Sequence, residues 1–311
     1  MKIAVTSASF SKNPILRQEL RSHFSDCRFN DSGEVLTGGR LIEFLGGTDA
    51  AVIGLDRLDR GVITSCPGLK VIAKYGVGLD NVDLDACREH GVAVGWTPGV
   101  NRLSVAEMTI GFMIALMRNL FVSSWQLKQG NWLKAGGRQL SGKTVGIIGA
   151  GNIGRELVRL LDPFACRILI NDIVDITDFC RKSGVVEVSK EQIFSESDLV
   201  SVHTPLTELT TGMINDKVLS SMKNEAFLIN TARGPIVRQD HLKHALTAGL
   251  ISGAAIDVYE DEPPSDMELL GLPNLFCTPH IGGNALEAVL AMGRAAIGHL
   301  VAFVTTKTED K

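Results

Sequence analysis

Three short segments in the last third of the chain carry side chains that can do chemistry. Arg233 follows an apolar run that ends at Asn230, and its planar guanidinium matches the geometry of a carboxylate. His280 follows another apolar run, and a histidine titrates close to neutral pH, as acid–base chemistry requires. Taken alone, Arg233 is also explained as a surface arginine and His280 as a structural histidine.

The third segment begins at Asp257, where a further apolar run ends, and it contains four carboxylates. We interpret two of them, Glu260 and Asp261, as part of a solvated turn. Asp257 and Glu262 remain as candidate site residues. Ligands of open α/β sheets bind outside the carboxyl ends of the strands, so the positions of the three segments favour a ligand site at such an edge.

A glycine pattern further upstream indicates which ligand this is. Gly149, Gly151 and Gly154 form G-x-G-x-x-G between an apolar strand and a helical pattern, and the next strand ends at Asp172. In such a unit the glycines permit the tight turn, the approach of a pyrophosphate and the close packing of the helix, while the carboxylate accepts from ribose hydroxyls. The pattern predicts a dinucleotide site, and the alternative is a glycine turn in an ordinary βαβ unit.

The elements that position these residues alternate along the chain. Strand and helix patterns alternate over residues 1–98 and again from Thr144 onward, which favours parallel sheets with helices on both faces. We therefore predict an α/β fold with two doubly wound domains. The first contains residues 1–98 and 284–311, and the second contains residues 99–283. The last helix should cross back to the first domain, since its apolar stripe has no predicted partner in the second. A helix over 101–119 is apolar on more than one face, which indicates burial in a core or in a subunit interface.

Composition excludes several classes of protein. The net charge of −4 and the absence of a basic run give no support for nucleic-acid binding. The six cysteines show neither C-x-x-C nor metal-ligand spacing, so we expect reduced thiols and no metal site. The first apolar run is too short for a signal peptide, and the apolar stretch over 105–117 contains Glu107 and is too short to span a membrane. We expect a cytoplasmic protein without a membrane partner.

The order of motifs resembles that of the D-isomer-specific 2-hydroxyacid dehydrogenases, and within them the phosphoglycerate-dehydrogenase-like branch without a C-terminal regulatory domain. The motifs that carry the resemblance are K-Y-G-V-G-L-D-N-V-D from Lys74, the glycine pattern, H-T-P-L from His203, T-A-R-G from Thr231, D-V-Y-E-D-E-P from Asp257 and T-P-H-I-G-G from Thr278. The resemblance implies a Rossmann domain for NAD and a flavodoxin-like substrate domain, with the active site in the cleft between them.

The resemblance also implies roles for individual residues. Arg233 would bind the substrate carboxylate, His280 would exchange a proton with the substrate oxygen, and Glu262 would hold His280. The residues implied for NAD are Gly149, Gly151, Asn152, Ile153, Gly154, Asp172, Thr204, Thr231, Ala232 and Asp257. Those implied for the substrate are Lys74, Tyr75, Gly76 and Val77, together with Arg233. For Lys74 two alternatives remain, an ammonium that meets a second anionic group of the substrate and a solvated surface lysine.

The implied activity is hydride transfer between a nicotinamide and a D-2-hydroxy acid or its 2-keto partner, with a phosphorylated acid such as 3-phosphoglycerate among the candidates. The alternatives are an NADH-sensing regulatory protein and a formate- or phosphite-type dehydrogenase. One cation found in many relatives is missing, because the segment after H-T-P-L continues with Thr210-Thr211-Gly212-Met213. A homodimer through the 101–135 region is expected, with Trp132 in the segment that would cross to the partner.

Overall fold

A computed structural model describes the backbone of residues 1–309 and the side chains of residues 1–306. The chain forms two compact units. Unit 1 contains residues 1–101 and the chain from Asn284 onward, and unit 2 spans Arg102–Gly283. The corresponding sequence-based boundaries are 98/99 and 283/284, and the last two residues assigned to the first domain, 310 and 311, lie outside the described part.

The elements follow one another along the chain as strands β1–β12 and helices α1–α14. Those of unit 1 are β1 (Lys2–Val5), α1 (Ala8–Lys12), α2 (Pro14–His23), β2 (Asp26–Phe29), α3 (Gly38–Leu45), β3 (Ala50–Ile53), α4 (Arg60–Ser65), β4 (Val71–Lys74), α5 (Leu84–Glu89) and β5 (Ala93–Gly95). Those of unit 2 are α6 (Arg102–Met117), α7 (Leu120–Lys128), β6 (Thr144–Ile148), α8 (Asn152–Leu161), β7 (Arg167–Asn171), α9 (Thr177–Ser183), β8 (Val186–Glu187), α10 (Lys190–Glu196), β9 (Leu199–Val202), α11 (Asp216–Ser221), β10 (Phe227–Asn230), α12 (Gln239–Thr247), β11 (Gly253–Ile256), α13 (Met267–Leu270) and β12 (Leu275–Cys277). Helix α14 (Leu286–Glu309) returns to unit 1.

Unit 1 is built on a five-stranded parallel sheet in the order β2-β1-β3-β4-β5, which is the flavodoxin-like order. Its central strand β3 is buried on both faces, because Val52 packs into one apolar cluster while Ala51 and Ile53 pack into another. Helix α14 contacts β4 and α2. Its residues Met292 and Leu300 belong to the same cluster as Val52.

Unit 2 is built on a seven-stranded parallel sheet in the order β12-β11-β10-β9-β6-β7-β8. Alternate residues of β9 and β10 enter opposite apolar clusters: Val200 and Leu228 lie in one, Leu199 and Ile229 in the other. The strand order reverses between β6 and β9, which is where doubly wound sheets bind nucleotides. The predicted fold class, two doubly wound parallel sheets, is confirmed.

The helix predicted over 101–119 is present as α6 (Arg102–Met117) and ends two residues before the predicted end. Helix α6 ends at Met117, and Asn119 adopts a left-handed conformation (φ 51°), which asparagine tolerates better than most residues. Helix α7 then starts at an angle of 64° to α6. The side chains of α7 are all at least partly exposed, and its large apolar residues Leu120, Phe121, Trp125 and Leu127 are 45–56% exposed.

Two stretches have the length and hydropathy of a membrane span, namely α14 (Leu286–Thr306) and the bent pair of α6 and α7. Both belong to the packed units. Helix α14 supplies Met292, Ala296 and Leu300 to the core of unit 1, and α6 supplies Phe112 and Met113 to the core of unit 2. Core helices of globular proteins share these properties, so composition alone does not favour a membrane location.

Candidate active site

The candidate site residues of unit 2 lie along one edge of its sheet. All seven strands are parallel, so their carboxyl ends meet at the same edge. The glycine turn follows β6, Asp172 follows β7, Thr204 lies two residues beyond β9, Thr231–Arg233 follow β10, Asp257–Glu262 follow β11 and His280 lies three residues beyond β12. The topology therefore brings together residues that lie more than a hundred positions apart in the sequence.

The glycine turn has the shape that a pyrophosphate requires. Gly149 has a φ of 103°, and a Cβ there would lie 2.6 Å from the carbonyl oxygen of His203. A Cβ on Gly154 would overlap the carbonyl oxygen of Gly149, whereas one on Gly151 would meet no atom within 4 Å. Gly149 and Gly154 therefore bring helix and turn close together, while the space beside Gly151 is open to a ligand.

Helix α8 presents its amino terminus beside that open space. The helix has ten residues, and its N-cap is Gly151, which has no side chain to accept from the first N–H groups. The N–H groups at the start of a helix lack intrahelical acceptors and carry the positive end of its dipole. The N–H groups of Asn152 and Ile153, the first residues of α8, are therefore free of intrahelical acceptors, and their role in binding a phosphate stays a prediction.

Asp172 is tied to the glycine turn. Its Oδ2 accepts from the N–H of Ala150 at 2.6 Å, and its Oδ1 accepts from Ile173 and Val174 at 2.7 and 3.2 Å. A carboxylate has about four acceptor positions, so three backbone bonds leave capacity for a ribose hydroxyl. This carboxylate therefore links the phosphate turn to the expected ribose position.

Two polar atoms after β9 are buried, and neither has a hydrogen-bond partner within the described part of the chain: the Oγ1 of Thr204 and the Nδ1 of His203. A buried polar atom without a partner costs free energy unless a ligand or a water satisfies it. The Thr204 hydroxyl is therefore a group that a cofactor can satisfy. The resemblance implies a cofactor contact for Thr204 but none for the His203 side chain.

His280 and Glu262 form a hydrogen-bonded pair. The His280 Nδ1 lies 2.7 Å from the Glu262 Oε2, and about a third of each side chain is exposed (34% and 33%). The other Glu262 oxygen, Oε1, accepts from the N–H of Tyr259 at 3.2 Å. The carboxylate is therefore held by the backbone on one side and orients the imidazole on the other, as the resemblance implies.

The contact between His280 and Glu262 changes the pKa of each group. The hydrogen bond to Glu262 raises the pKa of His280, although burial and the positive charge of Arg233 act in the opposite direction. Burial alone would raise the pKa of Glu262, but the hydrogen bond and charge of His280 outweigh it and the pKa is lowered. The arrangement favours an imidazolium beside a carboxylate at neutral pH, which is a proton donor held in a fixed orientation.

Arg233 is half-buried, and its Nη1 donates to the carbonyl of Ala232 at 2.7 Å. Its charge lowers the pKa of both His280 and Glu262, which places the guanidinium in the same electrostatic environment as the pair. The two preceding residues are buried. The Thr231 hydroxyl lies 3.3 Å from that of Thr109 on α6, and the N–H of Ala232 is bound to the Asn230 side chain.

Asp257 is almost fully buried and is engaged by the protein itself. Its oxygens accept from the Thr278 hydroxyl and from the N–H groups of Ile281 and Gly282, at 2.5, 2.8 and 2.8 Å. The sequence predicts a cofactor contact for Asp257 and gives no sign of these bonds. It also gives no sign of Ser104 on α6, whose hydroxyl donates to the Gly282 carbonyl at 2.6 Å. No sequence pattern connects Ser104 with a turn 178 residues away.

The remaining candidates lie in unit 1, at and after the carboxyl end of β4. Lys74 is only 5% exposed, and its ammonium donates to the Gly54 carbonyl and to the Asn81 side chain, both at 2.6 Å. A solvated surface lysine is therefore not what the structure shows. The ring of Tyr75 packs edge-on against Phe10, and its hydroxyl lies 3.3 Å from that of Ser9.

Gly76 and Val77 form the turn that follows Tyr75. Gly76 has a φ of 133°, a conformation that glycine adopts readily, and the Val77 carbonyl accepts from the Trp96 indole at 2.8 Å. Together with the burial of Lys74 and Tyr75, this leaves the backbone of the turn as the group that can meet a ligand. The substrate-binding role of these four residues stays a prediction.

The sequence was compared with families and with individual proteins. Residues 110–282 match the family described as D-isomer specific 2-hydroxyacid dehydrogenase, NAD binding domain. A hydroxypyruvate reductase of Thermotoga maritima is 36% identical over 269 residues, which cover 84% of this chain and 87% of that protein. The D-3-phosphoglycerate dehydrogenase of Rattus norvegicus is also 36% identical, but the match covers 79% of this chain and only 47% of that enzyme.

The fold was compared with solved structures. The D-lactate dehydrogenase of Aquifex aeolicus, solved with NAD and lactic acid, superposes with a TM-score of 0.88 at 27% identity. The superposition covers 99% of this chain and 97% of that one. The likeness therefore extends over both units of the chain and not only over the dinucleotide-binding region.

Proposed function

This chain belongs to the D-isomer-specific 2-hydroxyacid dehydrogenase family and is an NAD-dependent oxidoreductase, and we propose that it reduces a small 2-keto acid to the D-2-hydroxy acid. The observation that carries the proposal is the His280–Glu262 pair, 2.7 Å apart, at the sheet edge that also holds Arg233 and the glycine turn. That edge combines a proton donor, a cation for a carboxylate and a place for a dinucleotide.

Each residue of this set has a separate task in the proposed reaction. The bound nicotinamide supplies the hydride. Arg233 pairs with the substrate carboxylate, because a guanidinium fits a carboxylate in two parallel hydrogen bonds. His280 donates its proton to the oxygen of the keto group, and Glu262 keeps the imidazole charged and oriented until then. In the oxidative direction the neutral His280 takes the proton back.

The substrate we propose carries no second anionic group, as in hydroxypyruvate or glyoxylate. The sequence offers Lys74 as the cation for a second anion, but the Lys74 ammonium is buried and bound to Gly54 and Asn81. Breaking these bonds to bind a phosphate would cost free energy that a solvated lysine would not lose. The relative from Thermotoga maritima, named a hydroxypyruvate reductase, agrees with this choice.

The test is a panel of 2-keto acids assayed by the loss of NADH absorbance. We expect turnover of hydroxypyruvate or glyoxylate, and at least a hundredfold lower kcat in His280→Ala. Turnover only of 3-phosphohydroxypyruvate would contradict the choice of substrate. Tight NADH binding without turnover of any keto acid would favour the sensing protein, and oxidation of formate or phosphite would favour the third alternative.

The proposal includes a homodimer in the cytoplasm. The exposed apolar residues of α7 and Trp132, which is 77% exposed, support this proposal, because exposed apolar surface is typical of subunit interfaces. All six cysteines are unpaired, which agrees with a reducing compartment. We propose no metal ion and neither a nucleic-acid nor a membrane partner.

A further inference from the structure

The backbone at His280 is held in an unfavourable conformation. His280 has a φ of 52°, one of three positive φ values among the non-glycine residues that the structure describes. A side chain other than that of glycine rarely adopts this region, and it persists only where the surroundings hold it. The turn that carries the imidazole must therefore be restrained by its neighbours.

The first restraint is the buried carboxylate of Asp257. This side chain is 1% exposed, and its two oxygens bind one hydroxyl and two backbone N–H groups of the segment from Thr278 to Gly282. The bonds lie on both sides of His280 in the sequence. The carboxylate thus fixes the chain before and after the imidazole.

A second restraint comes from helix α6. The Ser104 hydroxyl donates to the Gly282 carbonyl at 2.6 Å, while the N–H of Gly282 is held by Asp257. Gly282 is also tightly enclosed, because a Cβ there would lie 3.0 Å from the Asp257 Oδ2 and 3.0 Å from the Met108 Cε. Both hydrogen-bonding groups of this residue are therefore occupied, and the turn cannot move without breaking one of them.

We propose that Asp257 is a positioning residue that holds His280 in its reactive orientation, with Ser104 as the second support of the same turn. The inference rests on the proposed function of His280 as proton donor. It differs from the role expected for Asp257 from the sequence, which is contact with the cofactor. The two roles make different predictions, because a cofactor contact acts on NADH affinity and a support of the turn acts on His280.

The charged groups that face His280 determine the sign of the expected effect. Glu262 and Asp257 raise the pKa of His280, and Arg233 lowers it. Two further groups close by, the Tyr259 hydroxyl and the Cys277 thiol, stay protonated near neutral pH because burial raises the pKa of each. Removing the negative charge of Asp257 should therefore lower the pKa of His280. Loosening the turn should weaken the hydrogen bond from His280 to Glu262, which should lower this pKa further.

The experiment uses Asp257→Asn in the full-length enzyme. The His280 resonance, assigned by its loss in His280→Gln, is titrated by NMR without cofactor or substrate. We expect the titration to move to lower pH, kcat to fall on the order of 10- to 100-fold, and the Kd for NADH, measured by fluorescence, to change by less than about threefold. The matched control is Asp198→Asn, since Asp198 also accepts a backbone N–H, from Thr144, but lies before β9 at the opposite edge of the sheet.

Ser104→Ala provides a second test if Asp257→Asn does not fold. It removes the hydroxyl that donates to the Gly282 carbonyl, and we expect the same direction of shift with a kcat loss of about fivefold. Its control is Ser221→Ala, which removes a hydroxyl that donates to the Val218 carbonyl. An unmoved His280 titration in Asp257→Asn, or a large rise in the Kd for NADH with normal kcat, would overturn the proposal. The titration needs no substrate, so its outcome is independent of whether the keto-acid panel succeeds.

Discussion

The protonation state of His280 determines how the rate of the proposed reaction in each direction depends on pH. Reduction needs the imidazolium, and the hydrogen bond from His280 to Glu262 raises the pKa of that group above its usual value. The rate of keto-acid reduction should therefore fall as the pH rises through the raised pKa, and the rate of oxidation should rise over the same range. Glu262→Gln removes the charge that favours the imidazolium, so both profiles should move to lower pH.

The measurement is kcat/KM against pH in both directions, for the native protein and for Glu262→Gln. Glu260→Gln serves as the control, because Glu260 lies in the same loop but accepts from the N–H of Gln239 and not from His280. If the reductive profile of Glu262→Gln coincides with that of the native protein, the coupling does not exist.

Asp172 leads to a prediction about the cofactor. Its carboxylate is held by the N–H groups of Ala150, Ile173 and Val174, and two of these residues, Ile173 and Val174, are exposed and apolar. A fixed negative charge accepts from a ribose hydroxyl but repels a 2′-phosphate. We expect kcat/KM for NADH to exceed that for NADPH by at least about tenfold, or roughly 1.4 kcal/mol. Equal values for the two cofactors would contradict the assignment.

The candidate site residues are predictable from the sequence, but some of their contacts are not. Arg233, Glu262 and His280 stand after strands, and a parallel sheet gathers strand ends at one edge. The bonds of Asp257 and Ser104 to the His280 turn depend on tertiary packing between segments far apart in the chain. The burial of Lys74 depends on the Gly54 carbonyl and the Asn81 side chain, which no pattern around Lys74 reveals.

At the scale of elements, Lys74 ties two strand ends of unit 1 together. Its ammonium at the end of β4 and the Asn81 amide both donate to the Gly54 carbonyl after β3. Lys74→Ala should therefore loosen the turn at Gly76 and Val77 whatever the substrate is. We expect kcat/KM to fall by a similar factor, roughly tenfold, for glyoxylate and for a doubly charged keto acid.

The two substrates are compared in the same preparation of Lys74→Ala, with Lys70→Ala as the control. Lys70 precedes the same strand but pairs with Asp49 at the surface, where an ion pair contributes little. A loss confined to the doubly charged substrate would show that the ammonium binds a second anion after all.

Helix α7 gives a prediction about assembly. Trp125 is 56% exposed, and no residue of the helix is buried in the single chain. Large aromatic residues in an interface often contribute 2 kcal/mol or more to binding, so Trp125→Glu should weaken the dimer by roughly 30-fold or more. Sedimentation velocity should show the proposed dimer for the native protein and a monomer for the variant. Met267→Glu, which adds the same charge at a residue 72% exposed, should leave the dimer intact.

The elements that sequence patterns miss are those without a clear period. Strand β2 (Asp26–Phe29) lies at an edge of its sheet and has only one buried residue, so it shows no apolar run. Strand β8 has two residues. The apolar helical pattern ends at Asn119, close to the observed end of α6 at Met117, but it gives no reason to expect a second helix, α7, at 64° to the first. Buried strands such as β3 and β9 were recognised because they are apolar on both faces.

At the scale of the molecule, the sheet of unit 2 both carries the candidate site and forms part of the buried core that stabilises the unit. The strand ends that hold the reactive residues continue into a core in which β9 and β10 are fully buried. His203 follows β9 and is enclosed there, with its Nε2 2.8 Å from the Ser201 hydroxyl. Its burial lowers its pKa to about 4, so this histidine stays neutral in the folded protein at neutral pH.

The burial of His203 predicts how the stability of unit 2 depends on pH. Below about pH 6.5 the unfolded chain takes up a proton at this residue while the folded protein does not, so the free energy of unfolding should fall as the pH falls from 6.5 to about 4. The difference of about 2.5 between the pKa of His203 in the unfolded and in the folded protein corresponds to about 3 kcal/mol for this one group. His203→Gln should lose less stability between pH 7 and pH 4.5 than the native protein, as followed by urea unfolding at each pH. His244→Gln, at an exposed histidine of the same unit, should retain the native dependence. If His203→Gln and the native protein lose the same free energy over this range, the neutral state of the buried histidine does not limit the acid stability of unit 2.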